Sequence, residues 1–168
     1  MKNRSDILFF VLVFLLQVII TDYLHLGPWV FICLLPLLIL HIPLSHSPHR
    51  VMLTAFALGL LLDVLSDGVV GLNAFAAVLA AAPRKFLYRA LVNGDRQDKT
   101  GVPSLSEAGI VKYLKYLSVI TAIYLAGYML LDCAGSRPLL FILGKFLAST
   151  LASTAAGLLL AWSIQKRN

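Results

Sequence analysis

Two aspartates four residues apart, Asp63 and Asp67, are the pair in this sequence most suited to chemistry. On a helix this spacing places both carboxylates on one face, where they could form half of a metal site or an acid–base pair. The sequence supplies no evident third ligand. A carboxylate inside a short apolar helix is also costly unless it is paired or hydrogen-bonded. We therefore predict that Asp63 caps or cross-links helices at a packed interface, and that Asp67 belongs to a turn.

Three histidines and two cysteines are the other candidates for metal or redox chemistry. His41, His46 and His49 invite a zinc interpretation, but Pro43 and Pro48 among them predict an irregular turn instead of a helical ligand face. The cysteines, Cys33 and Cys133, form no CxxC motif. We interpret them as small packing residues, although a disulfide between them stays open, and we expect no cofactor and no metal.

One lysine lies within an apolar run. Lys145 follows Arg137 by eight residues, which is about 12 Å along a helix. Asp63 and Asp132 approach a similar depth from the same side, so we predict that Lys145 pairs with one of them. The alternative is that its side chain extends alone to the membrane surface.

Small residues are concentrated where helices would approach closely. Gly59 would admit a neighbouring helix, while Gly68 and Gly71 suit a tight turn that leads towards Asn73. The last apolar run repeats small residues at every fourth position, which predicts internal helix packing or, as the alternative, a face for another protein's helix. The two sets are Ala148, Ala152 and Ala156, and Ser149, Ser153 and Gly157.

Composition defines the setting in which these residues act. Of 168 residues, 60% are hydrophobic and 13% are charged, and the mean hydropathy is +0.87. A soluble domain has about 25% charged residues and could not cover so much apolar surface. These values exclude a soluble enzyme, a disordered chain and a nucleic-acid-binding module, and they predict a membrane protein in contact with the lipid bilayer.

The apolar runs predict an all-α, polytopic membrane protein, with residues 1–168 forming a single domain of six transmembrane helices. The first run lacks a signal-peptidase site, so we expect it to stay uncleaved. Pro36 is predicted to kink the second helix. Residues 84–107 form a cytoplasmic loop whose basic start, Arg84 to Leu91, either anchors the topology or docks a cytoplasmic partner. The predicted spans are about 7–25, 28–44, 51–66, 69–88, 110–132 and 138–164.

The distribution of positive charge orients these helices. With a cytoplasmic N-terminus, six spans place 12 of the 14 basic residues on the cytoplasmic side. Asp22, Asp63, Asp67 and Asp132 then lie at or near the outer side. An odd number of spans, or the reverse orientation, would spoil this asymmetry. We therefore predict that both termini are cytoplasmic.

One segment resembles the signature of a known family, the bacterial rod-shape-determining proteins called MreD. The family signature has a glycine, apolar residues, an aspartate, a turn of small residues and a further Gly-Leu-x-Ala. Asp67 stands where the family more often has glycine or serine. The corresponding segment is Gly59-Leu-Leu-Leu-Asp63-Val-Leu-Ser66-Asp67-Gly68-Val-Val-Gly71-Leu-Asn73-Ala74.

The resemblance implies a non-enzymatic component of the cell-elongation machinery in the bacterial inner membrane. Its partner would be MreC, a bitopic membrane protein, and through MreC it would meet MreB, RodA and a transpeptidase to help organise peptidoglycan synthesis. The family fold is thought to be similar to the substrate-binding subunits of energy-coupling-factor transporters.

A second hypothesis is a small-molecule (vitamin-type) binding subunit of a membrane transporter. Such a protein would need a polar or aromatic pocket near its outer face. The residues that could converge there are Asp22, Tyr23, His25, Trp29, Asp63, Asn73 and Asp132.

Overall fold

A computed structural model describes residues 4–23, 30–66, 69–93, 103, 108–132 and 138–165. Within these residues every regular element is a helix, and there is no strand. A π-helical turn, Arg89–Asn93, continues the fifth helix. The α-helices are α1 Arg4–Tyr23, α2 Leu35–His41, α3 Pro48–Leu65, α4 Leu72–Ala81, α5 Arg84–Tyr88, α6 Ile110–Asp132 and α7 Leu139–Gln165.

Three of these helices are long and apolar enough to cross a membrane: α3, α6 and most of α7. The bounds of α6 and α7 agree with the predicted fifth and sixth spans to within a residue or two. Helix α3 begins at Pro48, three residues before the predicted span, because proline suits the first turn of a helix, where its missing N–H has no partner to lose. Large apolar side chains cover the outside, including Leu53, Leu140 and Leu151. Such a surface suits lipid and indicates association with a membrane.

The second predicted span is not one kinked helix. Residues 30–34, which we call the unwound segment, are not helical, and α2 contributes only seven residues after them. The expectation that Pro36 kinks the middle of a helix is therefore wrong, since Pro36 lies in the first turn of α2. Residues 33–40 are buried throughout, so other parts of the chain must satisfy the backbone of the unwound segment.

The fourth predicted span, 69–88, is also interrupted. Helix α4 has ten residues and ends at Ala81, and a turn at residues 82–83 separates it from α5. Part of the predicted loop 84–107 is helical as well, because α5 and the π-helical turn extend to Asn93. Tyr88 and Arg84 are buried, so α5 packs against the bundle instead of lying free at its surface.

Helices α3 and α4 form an antiparallel hairpin, and α4 packs against α6, which in turn packs against α7. Helix α2 lies among α1, α3, α4 and α6. The core is built from leucine and isoleucine of α2, alanine of α4 and apolar and aromatic residues of α6. We call the end of the bundle at which α6 terminates the Asp132 end. The opposite end, where α4 gives way to α5, is called the Arg84 end.

Candidate functional site

Asp63 is the buried acid of the described residues, with 2% of its surface exposed. Its Oδ2 accepts hydrogen bonds from the backbone N–H groups of Gly71 (2.9 Å) and Ala74 (3.2 Å). Its Oδ1 accepts from the backbone N–H of Asn73 (3.1 Å) and from the Asn73 side-chain amide (2.7 Å). Four donors therefore surround one carboxylate, which confirms that Asp63 links two helices.

The Asp63 carboxylate lies on α3 but caps the N-terminus of α4. An N-cap side chain normally accepts from the second and third N–H groups of its helix, which here belong to Asn73 and Ala74. The residue at the cap position is Gly71, with a φ of +98°, a conformation that glycine adopts readily and other residues rarely do. Because glycine has no side chain to cap with, Asp63 supplies the acceptor, and the positive end of the α4 dipole favours its charge. We call this arrangement the aspartate cap.

Gly59 brings the two helices close enough for the cap to form. A Cβ atom at this position would lie 2.5 Å from the Ala74 Cα and 2.6 Å from the Ala74 N and the Asn73 O. All three are backbone atoms, so the prediction of a close helix approach at Gly59 is confirmed. Gly59 and Asp63 are four residues apart and face α4 from the same side of α3.

The aspartate cap continues into the centre of the bundle. The Tyr124 hydroxyl of α6 donates to the side-chain oxygen of Asn73. Tyr124 is buried. The cap is therefore one end of a chain of polar contacts that joins α3, α4 and α6.

Serines of α7 hold the unwound segment in place. The backbone N–H of Phe31 donates to Ser149 Oγ, and that of Cys33 donates to Ser153 Oγ, both at 2.9 Å. Ser153 Oγ in turn donates to the Phe31 carbonyl at 3.4 Å. The predicted face of Ser149, Ser153 and Gly157 is thus buried inside the protein. The other set, Ala148, Ala152 and Ala156, is half-buried at its edge.

Gln17 completes the support from α1. Its side-chain oxygen accepts from the Leu34 N–H (2.5 Å), and its amide nitrogen donates to Thr21 Oγ1 (2.9 Å) and to the Ile32 carbonyl (3.4 Å). Sequence reasoning missed this residue. The available signal was a lone glutamine in the middle of an apolar run, which has to find polar partners within the membrane.

Replacing Ser153 with alanine tests this support. We expect a loss of about 1–2 kcal/mol, because the buried Cys33 N–H would lose its acceptor. The thermal midpoint of the full chain in detergent measures it. Ser163→Ala, at an exposed position of the same helix, is the matched control and should change the midpoint little. Equal midpoints for the two variants would contradict the supporting role of Ser153.

Lys145 forms the predicted ion pair, and its partner is Asp132. The Lys145 Nζ lies 3.1 Å from Asp132 Oδ2, and the two side chains are 17% and 36% exposed. Asp63 is not the partner, since its oxygens bond to α4. The pair fastens α6 to α7 at the Asp132 end.

A charge swap tests the assignment of this pair. Lys145→Asp should lower the thermal midpoint, and adding Asp132→Lys should restore most of the loss because the charges again attract. The coupling energy should be about 0.2–1 kcal/mol, as for other accessible pairs. If the double variant loses as much stability as the two single variants lose together, Lys145 and Asp132 do not interact.

Within the described residues, the remaining histidine and cysteine candidates form no metal-binding group. His41 packs its ring against Phe9, with centroids 4.9 Å apart, and His49 is exposed. The described residues hold no group of three or more His, Cys, Asp or Glu side chains that could bind a metal. Several predictions fall outside the described residues: the roles of Gly68 and Asp67, the Cys133 pairing, and the contributions of His25 and Trp29 to an outer pocket.

The chain matches no protein-family model, no curated protein and no solved structure. Its function must therefore be argued from the arrangement just described.

Proposed function

We propose that this protein is a non-enzymatic component of the bacterial cell-elongation machinery that binds an MreC-type bitopic protein. One observation carries the proposal: three residues of the MreD-like segment hold α3 and α4 together as a packed hairpin. Gly59 allows the two backbones to come close, and Asn73 donates hydrogen bonds to Asp63. All four hydrogen bonds of the Asp63 carboxylate go to Gly71, Asn73 and Ala74 within the chain. Signature residues that hydrogen-bond to one another stabilise the fold, which suits a protein that acts by binding a partner.

The proposed topology is six spans in the inner membrane, with both termini cytoplasmic. The unwound segment and α2 together span at most about 25 Å, at roughly 3.3 Å per residue for 30–33 and 1.5 Å per residue from Leu34, whose backbone torsion angles are already helical. That length is close to the roughly 30 Å of a bilayer core. Basic residues at the Arg84 end support its cytoplasmic placement. They include Arg50, Lys85, Arg89, Lys112 and Lys115.

The alanine edge of α7 is the part of the surface proposed to meet the partner's single helix. Ala148 and Ala152 are half-buried, and the exposed Ala155 lies beside them. Small side chains allow a second helix to come close in a membrane, where van der Waals packing drives association. The serine face of the same helix is already occupied by the unwound segment.

Co-purification tests both the partner and the surface. The tagged full chain, expressed with an MreC-type protein, should retain that protein in detergent. Ala152→Leu should weaken the capture severalfold, while Ala57→Leu, the same change at an exposed position of α3, should leave it intact. No capture of the MreC-type protein by the wild-type chain would overturn the proposal.

A second candidate function is a small-molecule-binding subunit of a transporter. The observation in its favour is the unwound segment, because interrupted helices at membrane depth are common where transporters bind substrate. In this chain the N–H groups of Phe31, Cys33 and Leu34 bond to side chains of α1 and α7. Capture of a transporter ATPase, or a vitamin retained through purification, would favour this function.

A further inference from the structure

Three exposed lysines, Lys85, Lys112 and Lys115, lie where α5 and the π-helical turn pack against the start of α6. The Tyr116 hydroxyl donates to the Arg84 carbonyl at 3.1 Å, and this bond joins the residue after Lys115 to the residue before Lys85. The three lysines therefore surround one junction between helices. We call this surface the lysine rim.

The charges of the lysine rim are not balanced by any carboxylate among the described residues, whose ion pair lies at the opposite end of the bundle. Lys112 and Lys115 are three residues apart, so they are neighbours on the surface of α6 and their like charges repel each other. The Lys112 Nζ donates to the Val92 carbonyl at 3.5 Å, which holds this ammonium group beside the π-helical turn. An anion bound between the two ammonium groups would replace their repulsion with attraction.

The position of these lysines along α6 indicates which anion they meet. Helix α6 has 23 residues and is apolar enough to cross a membrane, and its length of about 35 Å exceeds the roughly 30 Å of a bilayer core. Its first turn can therefore lie among the lipid headgroups. Lys112 and Lys115 lie about 3 and 8 Å along the helix from Ile110, and their side chains are long enough to carry the charge back to that layer.

Exposed apolar side chains alternate with the lysines, which favours a lipid over a water-soluble partner. Phe86, next to Lys85, is 73% exposed, and Ile110 and Val111 are exposed beside Lys112. Apolar side chains that enter the boundary of the acyl chains, together with lysines that face the headgroups, are typical of a protein surface at the membrane interface. Free phosphate would use the charges but leave these apolar side chains in water.

We propose that the lysine rim binds the headgroup of an anionic phospholipid. Lys112 and Lys115 donate to its phosphate oxygens from neighbouring positions of α6, and Lys85 adds positive charge from α5. The exposed apolar side chains contact the glycerol and the first acyl carbons. A zwitterionic lipid has the same phosphate but also carries an ammonium group that the lysines repel, so the rim selects lipids by their net charge.

Lipid titration of the full chain tests this site. The protein is purified in detergent, stripped of lipid and titrated with phosphatidylglycerol or with phosphatidylcholine of the same acyl chains, while native mass spectrometry counts the bound lipids. The first phosphatidylglycerol should bind at least fivefold more tightly than phosphatidylcholine. Lys85→Gln, Lys112→Gln and Lys115→Gln should each weaken its binding about fivefold, as expected for one lysine near an anionic lipid.

Two control variants separate this site from a general effect of charge. Lys115→Arg keeps the charge at the rim, and Lys145→Gln removes one lysine charge at the Asp132 end. Both should bind phosphatidylglycerol within twofold of wild type. Equal losses in Lys115→Gln and Lys145→Gln would overturn the proposal. Equal binding of the two lipids would overturn it too and favour an acidic protein segment as the partner of the rim. Displacement of phosphatidylglycerol by millimolar inorganic phosphate would overturn the lipid as the occupant.

Discussion

Replacing Asp63 with alanine should abolish stable folding. The substitution leaves the N–H groups of Gly71, Asn73 and Ala74 buried without their acceptor, and the Asn73 side-chain amide loses its partner too. Each orphaned donor costs about 1–3 kcal/mol, so the four together cost on the order of 4 kcal/mol or more. That approaches the whole stability of many proteins. The full chain should accumulate in membranes at a small fraction of the wild-type level.

Asparagine at position 63 distinguishes the hydrogen-bond argument from a simple need for size. The two carboxylate oxygens of Asp63 each accept two hydrogen bonds. An asparagine has nearly the same shape but offers only one acceptor oxygen, and its NH₂ group would face two other donors. Asp63→Asn should therefore be much less stable than wild type but retain more folded protein than Asp63→Ala. The thermal midpoint in detergent and the amount extracted from membranes measure this order.

The matched control removes a carboxylate that caps no helix. Asp22, near the end of α1, is half-buried. Asp22→Ala should shift the midpoint by no more than a degree or two, because half-buried carboxylates outside a hydrogen-bonded network contribute little. If Asp63→Ala and Asp22→Ala have the same midpoint, the aspartate cap does not stabilise the hairpin.

The sequence was sufficient for the long helices and for the structural role of Asp63. The apolar runs that form α6 and α7 contain enough residues to cross the bilayer core as helices, so their length alone predicts transmembrane helices. Asp63 could be interpreted because an isolated carboxylate in an apolar run must find donors. Gly59 and Gly71, four residues before it and eight after it, indicate where two backbones could come close enough.

The unwound segment could not be predicted from its own residues. Residues 30–34 are as apolar as a membrane helix, and hydropathy does not distinguish a buried helix from a buried non-helical segment. The deciding partners, Ser149 and Ser153, lie 118 and 120 residues further along the chain. Their spacing predicted close packing but not that their hydroxyls would bond to the backbone of that segment.

The position of Arg84 was also hidden from the sequence. A basic residue at the start of a loop is expected at the headgroup layer, and charge patterning carries no information on burial. In the structure α5 turns Arg84 inwards, and its Nη2 donates to the Ile42 carbonyl. The Tyr116 hydroxyl donates to the backbone carbonyl of Arg84 at 3.1 Å. Likewise, only the geometry of the bundle decides between Asp63 and Asp132 as the partner of Lys145.

Changing Gly59 to alanine should separate α3 from α4. The added Cβ would lie 2.5 Å from the Ala74 Cα, and no side chain can move aside because the contact is with backbone. The helices must part by about an ångström, which weakens the hydrogen bonds of Asp63 one turn away. Overpacking alone costs about 1–3 kcal/mol, so the combined loss should be about 3 kcal/mol or more. The thermal midpoint of the full chain in detergent is the measurement.

Two other helical glycines provide a graded control for the same one-carbon change. At Gly127 the nearest atom to a new Cβ is Leu79 Cδ2, at 2.8 Å, and at Gly157 it is Leu117 Cδ2, at 3.2 Å. Both are ends of flexible side chains that can adjust. Gly127→Ala should therefore cost about 1 kcal/mol, and Gly157→Ala should be nearly neutral, because alanine favours the helix by up to about 1 kcal/mol. If Gly59→Ala were no more harmful than Gly157→Ala, the backbones of α3 and α4 would not be in contact, and the aspartate cap would lose the close approach on which it depends.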